Sequence, residues 1–220
     1  MPKENRKRSG CVDVIKSYLV EDATFAGDLE IPALKPTDKL PAQMRPFSQA
    51  ISSKERHVWV HFYEDDAKFE RIWNSPKRYL RILKEFDGAI SPDFSLYRDM
   101  PLVMQYWNIY RSRAVAHALQ SAGLPVIPNI RFGDRRTWKA CCLGIPMNSV
   151  IAVGSHGNLK NMEDRRHFKD GLDYVVKTVR PKIIVVYGSA PESVFKPYAE
   201  QGIRIIPFES EFSRTHGGNA

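Results

Sequence analysis

Pro181-Lys182-Ile183-Ile184-Val185-Val186-Tyr187-Gly188-Ser189-Ala190-Pro191-Glu192 is the stretch that decides the fold. From Ile183 to Tyr187 no position is left for a polar face, which marks a short strand buried on both sides rather than an amphipathic one. Glycine ends the run. Ser189 then reads as a helix N-cap, with Glu192 three residues later completing a capping box. A doubly buried strand leading straight into a helix is the unit of a parallel α/β sheet.

The same grammar recurs outward along the chain. Strand-like runs lie at Gly88–Ser91, Val126–Asn129, Val150–Ser155 and Arg204–Phe208. His57–Tyr63 alternates Val58, Val60 and Phe62 against Trp59, His61 and Tyr63, and reads as the first strand. Helical patterns fill the gaps: Asp66 to Trp73, then Ser75 as cap and Pro76 as first position of a helix through Phe86. Others run from Pro101 to Ala122, closed by Gly123 and Pro125, and over Asp134–Leu143, Glu163–Val179 and Pro191–Gln201. The expectation is an α/β chain of about six mostly parallel strands with helical crossovers, either an incomplete TIM-like barrel or an open doubly wound sheet. No Gly-x-Gly-x-x-Gly follows any strand, which favours the barrel-like form over a dinucleotide-binding sheet.

With 220 residues, one α/β core is expected. Residues 1–54 read as an extended N-terminal lead-in with a basic tail, broken by Pro32, Pro36, Pro41 and Pro46, with a short helix around Val12–Leu19. Residues 55–212 form the single α/β domain, and 213–220 a frayed tail. The composition, 43% hydrophobic and 26% charged, is that of a globular chain, and no apolar run nears the roughly 20 residues of a membrane span. Lys3, Arg6, Lys7 and Arg8 precede Ser9-Gly10-Cys11-Val12-Asp13, which has no apolar core and so is not a signal peptide. Cys11, Cys141 and Cys142 form no even framework, and a reducing cytoplasm is expected. No metal-ligand spacing accompanies them, and no cofactor is named by the residues.

In parallel sheets ligands meet the carboxyl ends of the strands, so the polar strand exits are the candidate site. Ser91-Pro92-Asp93-Phe94-Ser95 leads to Tyr97-Arg98-Asp99, with two carboxylates flanking an arginine; Asp99 also reads as the cap of the helix starting at Pro101. Asn129 and Arg131, two apart, fall on one side of a continuing strand and suit an oxyanion. The alternative for Arg131 is an ion pair with Asp93 or Asp134, and Asp134 itself reads as a helix cap. Gly154-Ser155-His156-Gly157-Asn158 lets backbone N–H groups approach a phosphate, or is a plain turn. Glu209 and Glu211 follow the last strand.

The expected site therefore has Asp93 and Arg131 as the catalytic pair if the protein is an enzyme, which the sequence leaves open, with Asn129, Ser155, His156, Tyr187 and Ser189 around the ligand. A net charge of +8 points to a phosphate-bearing ligand, a nucleotide or a nucleic-acid end, possible hydrolysis included. A second reading uses Lys68, Arg71, Lys77, Arg78, Arg81 and Lys84, interleaved with Phe69, Trp73 and Tyr79. Arg71, Lys77, Arg78 and Arg81 would then contact nucleic acid in a non-catalytic accessory, helped by the N-terminal arm. The same pattern also suits a core-facing stripe with a solvated cationic face.

Several ordered motifs resemble the DUF4417 family: Asp93-Phe94-Ser95-Leu96-Tyr97-Arg98-Asp99-Met100-Pro101, Gln105, Trp107-Asn108, Val126-Ile127-Pro128-Asn129, Gly144-Ile145-Pro146 with Ser149, and Val186-Tyr187-Gly188-Ser189. The likeness covers roughly Phe86 to Ser210. It implies a bacterial, plasmid or phage setting, and hence a host or phage protein as a further kind of partner.

Overall fold

The β-branched runs pair in the order in which the chain meets them. The computed structural model describes residues 13–157, 159 and 161–210. A short antiparallel hairpin, β1 (Phe25–Ala26) with β2 (Ile31–Pro32), precedes the main sheet. Then β3 (Met44–Pro46), β4 (Trp59–His61), β5 (Gly88–Ile90) and β6 (Val126–Ile127) lie side by side, all parallel. β7 (Val150–Gly154), β8 (Ile183–Tyr187) and β9 (Arg204–Phe208) follow in the same sense. A parallel bridge between Asn129 and Ala152 joins the two groups, with Ile130 N donating to Ala152 O at 2.9 Å and Ala152 N to Pro128 O at 2.8 Å.

Strand order without reversal is the winding of a barrel, whereas a doubly wound sheet switches direction at its middle. Among the described residues β9 does not pair with β3, so the barrel stays open. The strands are joined or preceded by α1 (Phe47–Ala50), α2 (Asp66–Phe69), α3 (Arg71–Asn74), α4 (Pro76–Leu83), α5 (Leu102–Ser121), α6 (Arg135–Cys142), α7 (Met162–Val179) and α8 (Glu192–Glu200).

Alternate strand residues go to opposite layers. Val60, Ala89 and Val126 pack outward against Phe47, Ile72, Leu83 and Leu119. Ile151, Val153, Ile184 and Val186 pack outward against Leu172, Val176 and Phe195. The inner residues form one cluster that draws on every strand from β3 to β9: Met44, Trp59, Ile90, Ile127, Val150, Ala152, Val185, Tyr187 and Phe208. Burial on both faces is why Val150–Val153 and Ile183–Val186 read as unbroken apolar runs.

Two features differ from the sequence reading. The proline-rich segment expected to run extended around the domain supplies β3, a seventh parallel strand, with Pro46 tolerated because it ends an edge strand. The expected caps also differ in part: Ser75 is the N-cap of α4 with Pro76 as its first residue, as expected, but makes no side-chain capping bond, while Asp99 and Ser189 are not caps, the N-cap positions of α5 and α8 being Pro101 and Pro191. Pro76 stands at the first helical position with its φ preset, whereas Pro101 and Pro191 occupy the N-cap position themselves and carry no side-chain acceptor. Asp134 does cap α6, accepting from Arg136 N at 3.0 Å. The short N-terminal helix is a 3-10 turn at Ser17–Val20. The basic residues before Asp13 and the tail after Ser210 lie outside the described residues.

Gly88 carries a test of the inner layer. A Cβ there would stand 2.5 Å from the Trp59 ring. Gly88→Ala is expected to cost about 1–3 kcal/mol through overpacking, measured by urea denaturation. An unchanged midpoint would show that Trp59 does not fill that space.

Candidate functional site

β5 delivers the chain to the mouth of the open barrel, where Ser91, Pro92 and Asp93 turn across it. Ser91 Oγ accepts from Asn129 N at 2.8 Å, and Pro92 O accepts from Ser112 Oγ at 2.6 Å, so the turn is tied to β6 and to α5. Asp93 is 8% exposed. Its Oδ1 accepts from Asn129 Nδ2 and its Oδ2 from Arg131 Nη1, each at 2.6 Å. The two donors leave the β6 exit two residues apart on the same side.

β4 and β8 complete the network. Tyr63 Oη donates to Asn129 Oδ1 at 2.9 Å, which orients the Asn129 amide toward Asp93. The Tyr63 ring stacks on Tyr187, centroids 4.6 Å apart at 11°, and His61 lies 4.5 Å from the same Tyr187 ring. Gly154, at the end of β7, leaves room for this: a Cβ there would sit 3.0 Å from the Tyr63 ring.

Charge in this network is set by burial. Burial pushes the Asp93 carboxyl up, and the Arg131 charge and the Asn129 hydrogen bond pull it back only in part. Burial opposes the charge on Arg131, but Asp93 beside it more than compensates, and its pKa rises. Burial, with the Asp93 charge adding to it, holds the Tyr63 phenol well above its ordinary value, so Tyr63 stays a proton donor.

The pair divides a cleft. One lobe, about 320 Å³, is lined by Arg98, Arg131, Gly133, Gly154, Gly157 and His167 among others. The other, about 400 Å³, is lined by Tyr63, Glu64, Asp66, Lys68, Ser95 and His156. Asp93, Tyr97, Arg131 and Gly154 border both. Pro46 at the end of β3 and Ser210 beyond β9 also reach the second lobe, so both edges of the open barrel converge on it.

Much of the lining is held by partners. Asp66 accepts from Ser95 N at 3.1 Å and Ser95 Oγ at 2.8 Å, and Glu64 accepts from Ser48 N at 2.9 Å. Arg98 bridges to Glu163 at 3.1 Å and Asp164 at 2.7 Å, at the start of α7.

Of the sequence-derived residues, Asp93, Asn129, Arg131 and Tyr187 come together, and His156 lines the second lobe. Ser155 and Ser189 do not line the cleft. Ser155 is buried and donates to Ser189 O at 2.6 Å, pinning the β7 exit to the β8 exit. Gly188 makes that approach feasible, since its φ of 108° disfavours a side chain and a Cβ would lie 2.7 Å from Ser155 Oγ. Arg71, Lys77, Arg78 and Arg81 sit on the solvent side of α3 and α4, outside the cleft lining, while Phe69, Trp73 and Tyr79 are buried. Cys141 and Cys142 are buried and free, and among the described residues no group of His, Cys, Asp or Glu could hold a metal ion. Cys11, Asn158 and Glu211 lie outside the described residues.

Three contributors escaped the sequence reading. Tyr63 had a signal, because it shares the inward parity of Trp59 and His61. Asp66 had none, its partner Ser95 being 29 residues away. Arg113, in the middle of α5 and 2% exposed, donates to Asn129 O at 3.0 Å and Cys141 O at 2.8 Å.

Parallel strands in chain order, helices outside them and a polar cleft at their carboxyl ends define an α/β protein of the open-barrel kind. Membership is more specific than architecture. The chain belongs to the DUF4417 family, whose description, "Domain of unknown function (DUF4417)", matches residues 23–209. It is 36% identical over 183 residues to the "Gene 1 protein" of Mycobacterium phage L5, covering 81% of this chain and 79% of that protein. It is 35% identical over 162 residues to the "Gene 1 protein" of Mycobacterium phage D29, covering 72% of this chain and 60% of that one. No solved structure matches the chain. Among the described residues no helix is long and apolar enough to cross a membrane.

Asp93 predicts a pH signature. A carboxyl whose folded pKa lies above its unfolded value favours folding when protonated, so its contribution is fully present below about pH 4 and is lost as pH rises through the folded pKa. The stability of the wild type relative to Asp93→Asn, from urea midpoints, is therefore expected to fall from about pH 4 upward and then level off. A difference that rises with pH over that window would refute the burial argument. Tyr63→Phe, which removes the bond to Asn129 but keeps the stack, is expected to cost about 1 kcal/mol in the same measurement.

Proposed function

We propose that the cleft binds a phosphate-bearing ligand, a nucleotide or the end of a nucleic-acid strand. The observation that carries this reading is the position of Arg131. Its guanidinium borders both lobes while its one hydrogen bond among the described residues, from Nη1, holds it to Asp93. The remaining donors of the fork suit an anionic oxygen.

The lobes differ in chemistry as the two ends of a nucleotide do. Gly157, with φ at 83° and nothing within 4 Å of where a Cβ would stand, lets backbone approach a phosphate in the first lobe, beside Arg98, Arg131 and His167. In the second, Glu64 and Asp66 present carboxylate oxygens suited to sugar hydroxyls or base amino groups. Tyr97, 57% exposed on the border of both lobes, offers a ring on which a base can stack. In a hydrolytic reaction Asp93 would take the proton from water and Arg131 would stabilise charge developing on the phosphate. A cytoplasmic setting agrees with free Cys141 and Cys142 and with the phage origin of both relatives.

Equilibrium titration with nucleoside mono-, di- and triphosphates tests this. Arg131→Ala is expected to weaken binding about tenfold or more, as loss of a charge-assisted contact does, with circular dichroism unchanged. Arg131→Lys, which keeps the charge without the fork, should fall between. Binding unaffected by Arg131→Ala, or absent for every phosphate probe in the wild type, rejects the reading.

A further inference from the structure

We infer that the ligand is the end of a nucleic-acid strand rather than a free nucleotide, its backbone leaving the cleft along a cationic stripe on α2, α3 and α4. This rests on the cleft reading above and adds the polymer. Lys68, on α2, lines the second lobe. Arg71 and Arg78 lie over the same Tyr79 ring, at 6.0 and 5.5 Å, and so connect α3 to α4. Along α4 and its C-cap, Lys77, Arg78, Arg81 and Lys84 all face solvent. Their i, i+1, i+4, i+7 spacing keeps them on one side of the helix over about 10 Å.

Apart from Lys68, these charges have no acidic partner among the described residues. Glu70 pairs with Arg111, Glu85 with Arg56 at 3.2 Å, and Asp65 approaches Lys68 at 3.9 Å. Among the described residues Lys77, Arg78, Arg81 and Lys84 make no ion pair. Phe69, Trp73 and Tyr79, interleaved with the cations, are buried. The stripe therefore offers charge without stacking faces, which suits a phosphodiester backbone, and stacking falls to Tyr97 at the mouth. A membrane surface is disfavoured, because Tyr79 and Leu83 face the core and leave α4 no apolar side to enter a bilayer.

The test compares a 5′-phosphorylated single strand of about ten nucleotides with a nucleoside 5′-monophosphate. Three proteins are used: the wild type, the surface variant Lys77→Ala/Arg78→Ala/Arg81→Ala/Lys84→Ala, and Arg131→Ala. The oligonucleotide is expected to bind the wild type about tenfold tighter or more, with a log–log salt slope of about −3 for four phosphate contacts. The surface variant should lose that advantage and most of the slope while binding the monophosphate as before. Equal affinity for the two probes, or an advantage that survives in the surface variant, overturns the inference and leaves the cleft reading standing. Oligonucleotide binding lost in the surface variant but untouched by Arg131→Ala, with no monophosphate bound, overturns the cleft reading and with it the placement of the strand end. Tighter binding to phosphatidylserine vesicles than to the oligonucleotide also overturns it.

Discussion

A cation without a carboxylate partner holds the mouth of the barrel together. Arg113 is buried at the middle of α5, and burial lowers its pKa to about 10, so it remains charged at neutral pH. Its two terminal nitrogens bind the carbonyls of Asn129 and Cys141. Cys141 stands in the last turn of α6, where carbonyls have no partner within the helix and the dipole is negative. The helix end thus supplies what an acidic side chain would otherwise provide. With the Asn129 carbonyl held from behind, its side chain is presented forward to Asp93 and Tyr63.

From that anchor the site is built by short steps between neighbouring strand exits. Asp93 takes its geometry from Asn129 and Arg131, Asn129 takes its amide orientation from Tyr63, and Tyr63 is braced by Tyr187. The segment from Ser91 to Pro101 is tethered along its length. Asp66 holds Ser95, Asn108 donates to Ser95 O at 2.7 Å, and Arg136 donates to Arg98 O at 2.8 Å. Arg98 then reaches the start of α7. A loop held at this many points is a preorganised wall, and a binding group placed on it loses little entropy when a ligand arrives.

The strands that were legible are those whose two faces both meet apolar neighbours. Val150–Val153 and Ile183–Val186 announce themselves because outer helices and inner layer both demand hydrophobic side chains. β3 does not, because Met44-Arg45-Pro46 is short, lies at an edge and carries an arginine that pairs with Glu55. Ser75 stands at its expected cap position without a side-chain bond, Asp99 and Ser189 yield that position to Pro101 and Pro191, and Asp134 caps α6 as expected. Within the site, Asn129 and Arg131 were readable from period-two alternation and Asp93 from its place after a strand. That Ser155 turns its hydroxyl back to the Ser189 carbonyl could not be read, because strand-exit position says nothing of which way a hydroxyl points.

By itself the sequence determined the alternation of strand and helix, the parallel sense of the sheet and the rim on which polar side chains collect, because these follow from local periodicity and from burial on two faces. Only the tertiary structure decided that the strands run in chain order around an open barrel, and that Arg131 closes on Asp93 rather than on Asp134. It alone brought Tyr63, Asp66 and Arg113 to the same mouth. Those outcomes depend on contacts between residues tens of positions apart, whose pairing is set by the curvature of the sheet and by which buried polar group lacks a partner.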